Sequence, residues 1–143
     1  MSERRTFSAI LGQLSQMLSW IREQLRKNGL DDISSRKVEL ASEEALVNII
    51  RHAYKETAGM VEINVRKAPK KQIEIEIRDN GPSFNPLKQE IAFNPMASLE
   101  EREIGGLGIL FIRQYMDEVR YRRESNANIL ILVKKFTGPS RLK

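Results

Sequence analysis

The sequence contains no cysteine, and among its 143 residues there is one tryptophan and one histidine. Without cysteine the chain can form neither a disulfide nor a thiolate metal site, which agrees with a reducing compartment. No apolar run approaches the length that crosses a bilayer, and the N-terminus lacks the basic-then-apolar pattern of a secretory signal. These absences predict a cytoplasmic protein with no membrane contact.

The basic residues of the chain are dispersed. The sequence has 24 Lys and Arg against 19 Asp and Glu, which gives a net charge of +5 and favours phosphate-bearing or acidic partners. The basic pairs are separated along the chain, at Arg4-Arg5, Lys70-Lys71, Arg122-Arg123 and Lys134-Lys135. Few aromatic residues lie between these pairs, so a nucleic-acid-binding domain is the weaker interpretation. The length predicts a single domain over residues 1–136 and a frayed tail over 137–143.

Apolar periodicity predicts two helices and then strands. Residues 7–25 carry the stripe of an amphipathic helix, which Gly29 ends. Asp31 to Ser35 supply N-cap candidates for a second helix that runs to about Tyr54. After Gly59 the period changes to two, which predicts a pair of antiparallel strands over residues 61–66 and 73–78, each with one buried face.

The later part of the chain alternates between irregular and regular patterns. Residues 82–104 show no sustained period, and we interpret this long connection as a mobile lid. A third helix is predicted from the glycines at 105–108 to about Met116, followed by strands at 118–123 and 129–133 that complete the sheet.

The second predicted helix carries a polar face on an otherwise apolar cylinder. Glu44, Asn48, Arg51 and Lys55 follow one another at offsets of four, three and four residues, so they share that face. Burying a carboxylate, an amide and a guanidinium without partners is costly. A magnesium ion with a polyphosphate would satisfy all three groups. The alternative is a solvated helix edge.

Two further segments could bind parts of a nucleotide. The strand over 73–78 leads into Asp79-Asn80-Gly81-Pro82, where a carboxylate precedes a break in the chain. The amides of Gly105, Gly106 and Gly108 open a helix and can cradle phosphate without a lysine. Because neither a P-loop nor a dinucleotide fingerprint is present, another phosphate-binding fold is required.

Together these segments resemble the sequence boxes of the GHKL ATPase superfamily. The resemblance rests on Glu44-x-x-x-Asn48, Asp79-x-Gly81 and Gly105-Gly106-Leu107-Gly108, in that order, over roughly residues 5–136. It implies the Bergerat ATP-binding fold, an α/β (α+β) two-layer sandwich whose mixed, mostly antiparallel sheet is covered on one face by helices. The helix-first start and the stretch after Gly108 look most like the anti-sigma factor serine kinases of bacterial partner switching.

The resemblance implies roles for individual residues and the cofactors ATP and Mg²⁺. Asp79 would accept a hydrogen bond from the adenine amine, and Gly81 would let the purine approach the backbone. Asn48 would bind Mg²⁺, and Glu44 would be the general base for an attacking serine. The loop of Gly105, Gly106, Leu107 and Gly108 would hold the phosphates. The second glycine that often follows Asp-x-Gly is missing here, because Pro82-Ser83 stands in its place.

Several residues have competing interpretations. Glu43 rivals Glu44 as the base, but it does not share the face of Asn48. Arg51 meets phosphate in one interpretation and is a surface cation favoured by the helix dipole in the other. His52 is expected to pack or to hydrogen-bond rather than to accept phosphate. Arg102 could reach the γ-phosphate or lie on the surface.

The resemblance implies a serine/threonine protein kinase that also acts as an anti-sigma factor. Such a protein sequesters a sigma factor and phosphorylates a serine of an anti-anti-sigma antagonist, as a homodimer with no direct nucleic-acid contact. The alternative is an anti-sigma or adaptor module that binds nucleotide without phosphotransfer.

Overall fold

The computed structural model of the protein describes residues 2–52, 59–83, 85–88 and 108–136, which form a five-stranded sheet and three helices. In chain order the elements are β1 (Ser2–Ser8), α1 (Leu14–Lys27), α2 (Asp32–His52), β2 (Met60–Ala68), β3 (Gln72–Asp79), α3 (Gly108–Tyr115), β4 (Glu118–Glu124) and β5 (Ala127–Lys135). Short 3-10 turns occupy Leu11–Gln13 and Pro86–Lys88.

The strands lie in the order β1-β2-β3-β5-β4. Every pairing among these described strands is antiparallel, where the sequence analysis allowed for a mixed sheet. The predicted two-layer α+β sandwich is confirmed. Because β5 returns between β3 and β4, it is covered on both sides by neighbouring strands, and its residues are buried from Ala127 to Lys134.

Local signals set the ends of the first two helices as predicted. Gly29 has a φ of 83°, and the amide of Leu30 bonds back to the carbonyl of Leu25 at 3.2 Å, which ends α1 in a left-handed cap. Asp31 caps the N-terminus of α2, because its carboxylate accepts a hydrogen bond from the amide of Ser34 at 3.0 Å.

The predicted helical start at residue 7 is wrong. Phe7 belongs to the edge strand β1, where it pairs with Val61 of β2 and its ring meets Trp20 edge-on, with centroids 6.1 Å apart. Residues 2–6 of this edge strand are all exposed, so β1 lacks the buried-exposed alternation that reveals a strand. The helical period begins only at Leu14, and the chain is strand-first.

One continuous core fills the space between the sheet and the helices. The sheet contributes buried residues such as Ile63, Ile75, Ile77 and Leu132, and the helices contribute Met17, Ile21, Val38, Leu46 and Ile112. A smaller cluster of β5 residues, Ala127, Ile129, Ile131 and Val133, lies on the other face. Within the described residues, no helix combines the length and the apolarity that a membrane crossing requires.

The predicted lid is described only at residues 82–83 and 85–88. The predicted tail, residues 137–143, lies outside the described residues.

Candidate functional site

Helix α2 carries the polar face that the sequence predicts. Glu44 and Asn48 are partly buried and Arg51 is exposed. The opposite side of the helix is buried in the core through Val38, Ala41, Ala45 and Leu46. Lys55, which the sequence places on the polar face, lies outside the described residues.

The first residue of α3 packs directly against this polar face. A Cβ atom added at Gly108 would lie 3.2 Å from Oε2 of Glu44 and 3.4 Å from Nδ2 of Asn48. Only glycine permits this approach without a shift of the Glu44 side chain, and Gly108 itself is buried. The start of α3, a position that favours anions, therefore lies against Glu44 and Asn48.

The Glu44 carboxyl is electrostatically perturbed. Partial burial raises the pKa of Glu44 above the value of an ordinary glutamate, and the neighbouring Glu43 carboxylate raises it further. The positive charge of Arg51 opposes both effects and lowers this pKa. A carboxylate with a raised pKa is a better proton acceptor, which suits a general base.

Asp79 ends β3 as a buried carboxylate, with 4% of its surface exposed. Its Oδ1 atom accepts hydrogen bonds from the amide of Gly81 at 2.9 Å and from Nδ2 of Asn128 at 3.0 Å. Gly81 is buried as well, so the chain turns closely around the carboxylate. The predicted turn from Asp79 to Gly81 thus holds the Asp79 carboxylate, a hydrogen-bond acceptor, in a fixed position at the end of β3.

A cleft joins the two halves of the site. Counted out to its open mouth, and so with open solvent included, the space between its walls is about 460 Å³. Its walls combine apolar side chains with a few polar groups, as ligand pockets do. The lining residues are Ala45, Asn48, Ile49, His52, Asp79, Pro86, Ile112, Tyr121, Asn128 and Leu130. Asn48 and Asp79 therefore face one cavity, and Glu44 lies one helical turn from Asn48, where both side chains approach Gly108.

Tyr121 and Asn128, which were not predicted from the sequence, line the cleft next to Asp79. Asn128 was placed before the predicted strand at 129–133, but β5 begins at Ala127 and includes it. A polar residue that opens the apolar run Ile-Leu-Ile-Leu-Val was the available signal.

Four predicted site residues, Arg102, Gly105, Gly106 and Leu107, lie outside the described residues. Among the residues that are described, no group of three or more His, Cys, Asp or Glu side chains could hold a metal ion. The amide oxygen of Asn48 beside the Glu44 carboxylate instead fits Mg²⁺, which usually takes one or two protein oxygens and completes its shell with phosphates and water.

Comparisons with known proteins agree with this architecture. The family of histidine kinase-like ATPase domains matches the chain over residues 7–134. The serine-protein kinase RsbW of Bacillus thuringiensis is 33% identical over 104 residues, which is 71% of this chain and 63% of that protein. The chain thus spans less than two thirds of the length of this relative.

Two solved structures share the fold at low sequence identity. The RsbU and RsbW domains of a Mycobacterium tuberculosis protein superpose with a TM-score of 0.70 at 15% identity, covering 100% of this chain and 34% of that one. A blue-light activated histidine kinase of Erythrobacter litoralis superposes with a TM-score of 0.57 at 17% identity, covering 88% of this chain and 41% of that one.

Proposed function

The chain belongs to the family of histidine kinase-like ATPase domains, and within that family we propose that it is an ATP-dependent serine/threonine protein kinase that acts as an anti-sigma factor. The observation that carries the proposal is the meeting of Glu44, Asn48 and Gly108 beside a cleft that also holds the buried Asp79. One side of the cleft suits a purine, and the other suits a metal-bound triphosphate.

Asp79 would select the base. Its Oδ1 atom is occupied by two donors, and Oδ2 has no hydrogen-bond partner among the described residues, so Oδ2 is available to the amine of adenine. Guanine carries a carbonyl where adenine carries that amine, and two facing acceptors repel. Gly81 lets the purine approach because it adds no side chain to the turn.

Asn48 and the start of α3 would hold the metal and the phosphates. Mg²⁺, when bound there, would supply positive charge that offsets the negative charge developing on the phosphates during transfer. Asn48 would supply an oxygen to it, and Gly108 would present the helix N-terminus to phosphate together with Gly105, Gly106 and Leu107. Arg51 and Arg102 would contribute positive charge.

Glu44 would orient the serine hydroxyl and accept its proton. It lies one helical turn from Asn48, so a hydroxyl held near the metal-bound phosphate is within its reach. Its raised pKa favours proton acceptance. Glu43 would act only through the field that it exerts on Glu44.

The proposed partners come from the family resemblance. The RsbW relatives, which are named serine-protein kinases, support that resemblance. We propose that the protein sequesters a sigma factor in the cytoplasm, as a homodimer and without contacting nucleic acid itself. It would then phosphorylate a serine of an anti-anti-sigma antagonist, which resets the switch.

Transfer of labelled phosphate from ATP to candidate small partner proteins, followed by mapping of the labelled residue, tests the proposal. Glu44→Gln should retain ATP binding and lose transfer by about 10²- to 10⁴-fold, the usual contribution of a general base. Asn48→Ala should lose both the Mg²⁺ dependence and the transfer. Glu43→Gln is the matched control, because it removes the adjacent carboxylate and should keep most of the activity.

Three outcomes would contradict the proposal. Undiminished transfer by Glu44→Gln and Asn48→Ala together would refute the assigned site. Label on a residue other than serine or threonine would refute the reaction. Tight ATP binding with no transfer to any partner would leave a nucleotide-binding anti-sigma module in place of a kinase.

A further inference from the structure

Three strands bring polar residues into one row behind the cleft. Asp79 of β3 lies opposite Asn128 of β5, and Asn128 lies opposite Arg123 of β4. Side chains at directly opposed positions of antiparallel strands share a face and touch. Tyr121, two residues before Arg123 on β4, points to the same face. These residues, Asn128, Arg123 and Tyr121, form what we name the Asn128 cluster.

Hydrogen bonds fix the amide of Asn128 at both ends. Nδ2 donates to Oδ1 of Asp79 at 3.0 Å and to the carbonyl of Pro82 at 2.9 Å. Oδ1 accepts from the hydroxyl of Tyr121 at 2.5 Å and from Arg123 at 3.2 Å. The opposite amide orientation would place Oδ1 against a carboxylate and a carbonyl, so only one orientation satisfies all of these partners.

The same cluster holds the turn that follows Asp79. Nη1 of Arg123 donates to the carbonyl of Gly81 at 2.8 Å, and Asn128 holds the next carbonyl, that of Pro82. This is the turn in which Pro82-Ser83 replaces the second glycine of the sequence box. Side chains of β4 and β5 therefore fix a turn whose own sequence departs from the usual pattern.

The consequence for Asp79 is a fixed carboxylate. Oδ1 is held by the amide of Gly81 and by Asn128, which sets the plane of the group and leaves Oδ2 as its available acceptor. Asn128 is 6% exposed and lines the cleft, so it lies within the site, next to the Asp79 carboxylate. Asp79 and Asn128 are both buried, so an alternative arrangement of this pair would leave polar atoms unpaired away from water.

We propose that Asn128 is the positioning residue for Asp79, supported by Tyr121 and Arg123, and that the Asn128 cluster sets the selectivity of the site for a purine with a 6-amino group. The inference rests on the proposed function, in which Asp79 binds adenine. The cluster governs base recognition and leaves the transfer step at Glu44 unaffected.

The test compares two nucleotides that differ by one amino group. ATP and purine riboside 5′-triphosphate, which lacks the 6-amino group, are titrated against the full chain with Mg²⁺ for the wild type and for Asn128→Ala. Loss of one positioned hydrogen bond should weaken ATP binding by about tenfold. Binding of the analogue should change less than about twofold, because it makes no bond to Asp79. With ATP, KM should rise while kcat stays near the wild-type value.

Milder variants keep the test decisive if Asn128→Ala folds poorly. Tyr121→Phe removes only the hydroxyl donor, and Arg123→Gln removes the bond to Gly81. Each should weaken ATP binding by about threefold and leave binding of the analogue unchanged. Arg122→Gln is the matched control. Arg122 is the neighbouring residue on β4, where it is exposed and paired with Glu124 at 2.9 Å. Its replacement should change the binding of neither nucleotide.

The outcomes separate this inference from the proposed function. If the wild type binds ATP and the analogue equally, Asp79 does not read the amine, and the adenine assignment in the proposed function fails. If the wild type prefers ATP and Asn128→Ala keeps the full preference, the positioning role is overturned while the proposed function stands. Equal weakening of both nucleotides by Asn128→Ala also overturns it, because the residue would then serve the fold alone.

Discussion

Replacing Gly108 by alanine separates the geometry of the site from the stability of the fold. The new Cβ would lie 3.2 Å from Oε2 of Glu44, so the Glu44 side chain must move by a few tenths of an ångström, whereas the 3.4 Å to Nδ2 of Asn48 is close to an ordinary contact. Misplacement by about 1 Å can cost roughly 10²-fold in rate, so a shift of this smaller size should lower phosphotransfer by about tenfold.

Stability should respond differently to the same change. Gly108 is the first residue of α3, and alanine is the better helix former by at most about 1 kcal/mol. The free energy of unfolding in urea should therefore change by less than about 1 kcal/mol in either direction. The matched control is Gly12→Ala, whose Cβ would meet only Cδ1 of Ile10 at 4.0 Å, an ordinary contact. A wild-type transfer rate in Gly108→Ala would refute the close packing of α3 on Glu44.

Three further predictions concern other residues. Glu43→Gln should lower the pKa of Glu44, because it removes the neighbouring negative charge. The transfer rate rises with pH as Glu44 ionises, so this rise should move to lower pH in the variant. A rise at the wild-type pH or at higher pH would contradict the assigned base. Ser42→Ala should raise the free energy of unfolding in urea by about 1 kcal/mol. The reason is that the Ser42 hydroxyl is fully buried without a hydrogen-bond partner among the described residues. A lower free energy of unfolding would show that a partner exists. The double variant Lys70→Asn, Lys71→Gly should stabilise the β2–β3 hairpin by about 1 kcal/mol. The two lysines have φ of 64° and 55°, which Asn and Gly adopt more readily. An unchanged or lower melting temperature would argue against backbone strain in this turn.

Local patterns made the centre of the site predictable. Glu44 and Asn48 lie one helical turn apart on a single element, so their shared face follows from helix geometry alone. Asp79 and Gly81 lie two residues apart, and their hydrogen bond follows from the turn between them. The edge strand β1 was missed because its exposed residues carry no alternation.

The Asn128 cluster could not be predicted from the sequence in the same way. Its bond to Asp79 joins residues 49 positions apart, and it forms only because β5 inserts between β3 and β4. No periodicity within either strand reveals which strand lies beside it. The approach of Gly108 to Glu44 has the same character, because it depends on how α3 packs against α2.

The central claim is that the cleft between Asn48 and Asp79 binds an adenine nucleotide. Calorimetric titration of the full chain with ATP and with GTP, each with Mg²⁺, tests it most directly when the wild type is compared with Asp79→Ala. We expect the wild type to bind ATP at least about tenfold more tightly than GTP, and Asp79→Ala to lose that preference. Equal binding of the two nucleotides by the wild type, or no heat with ATP, would contradict the claim.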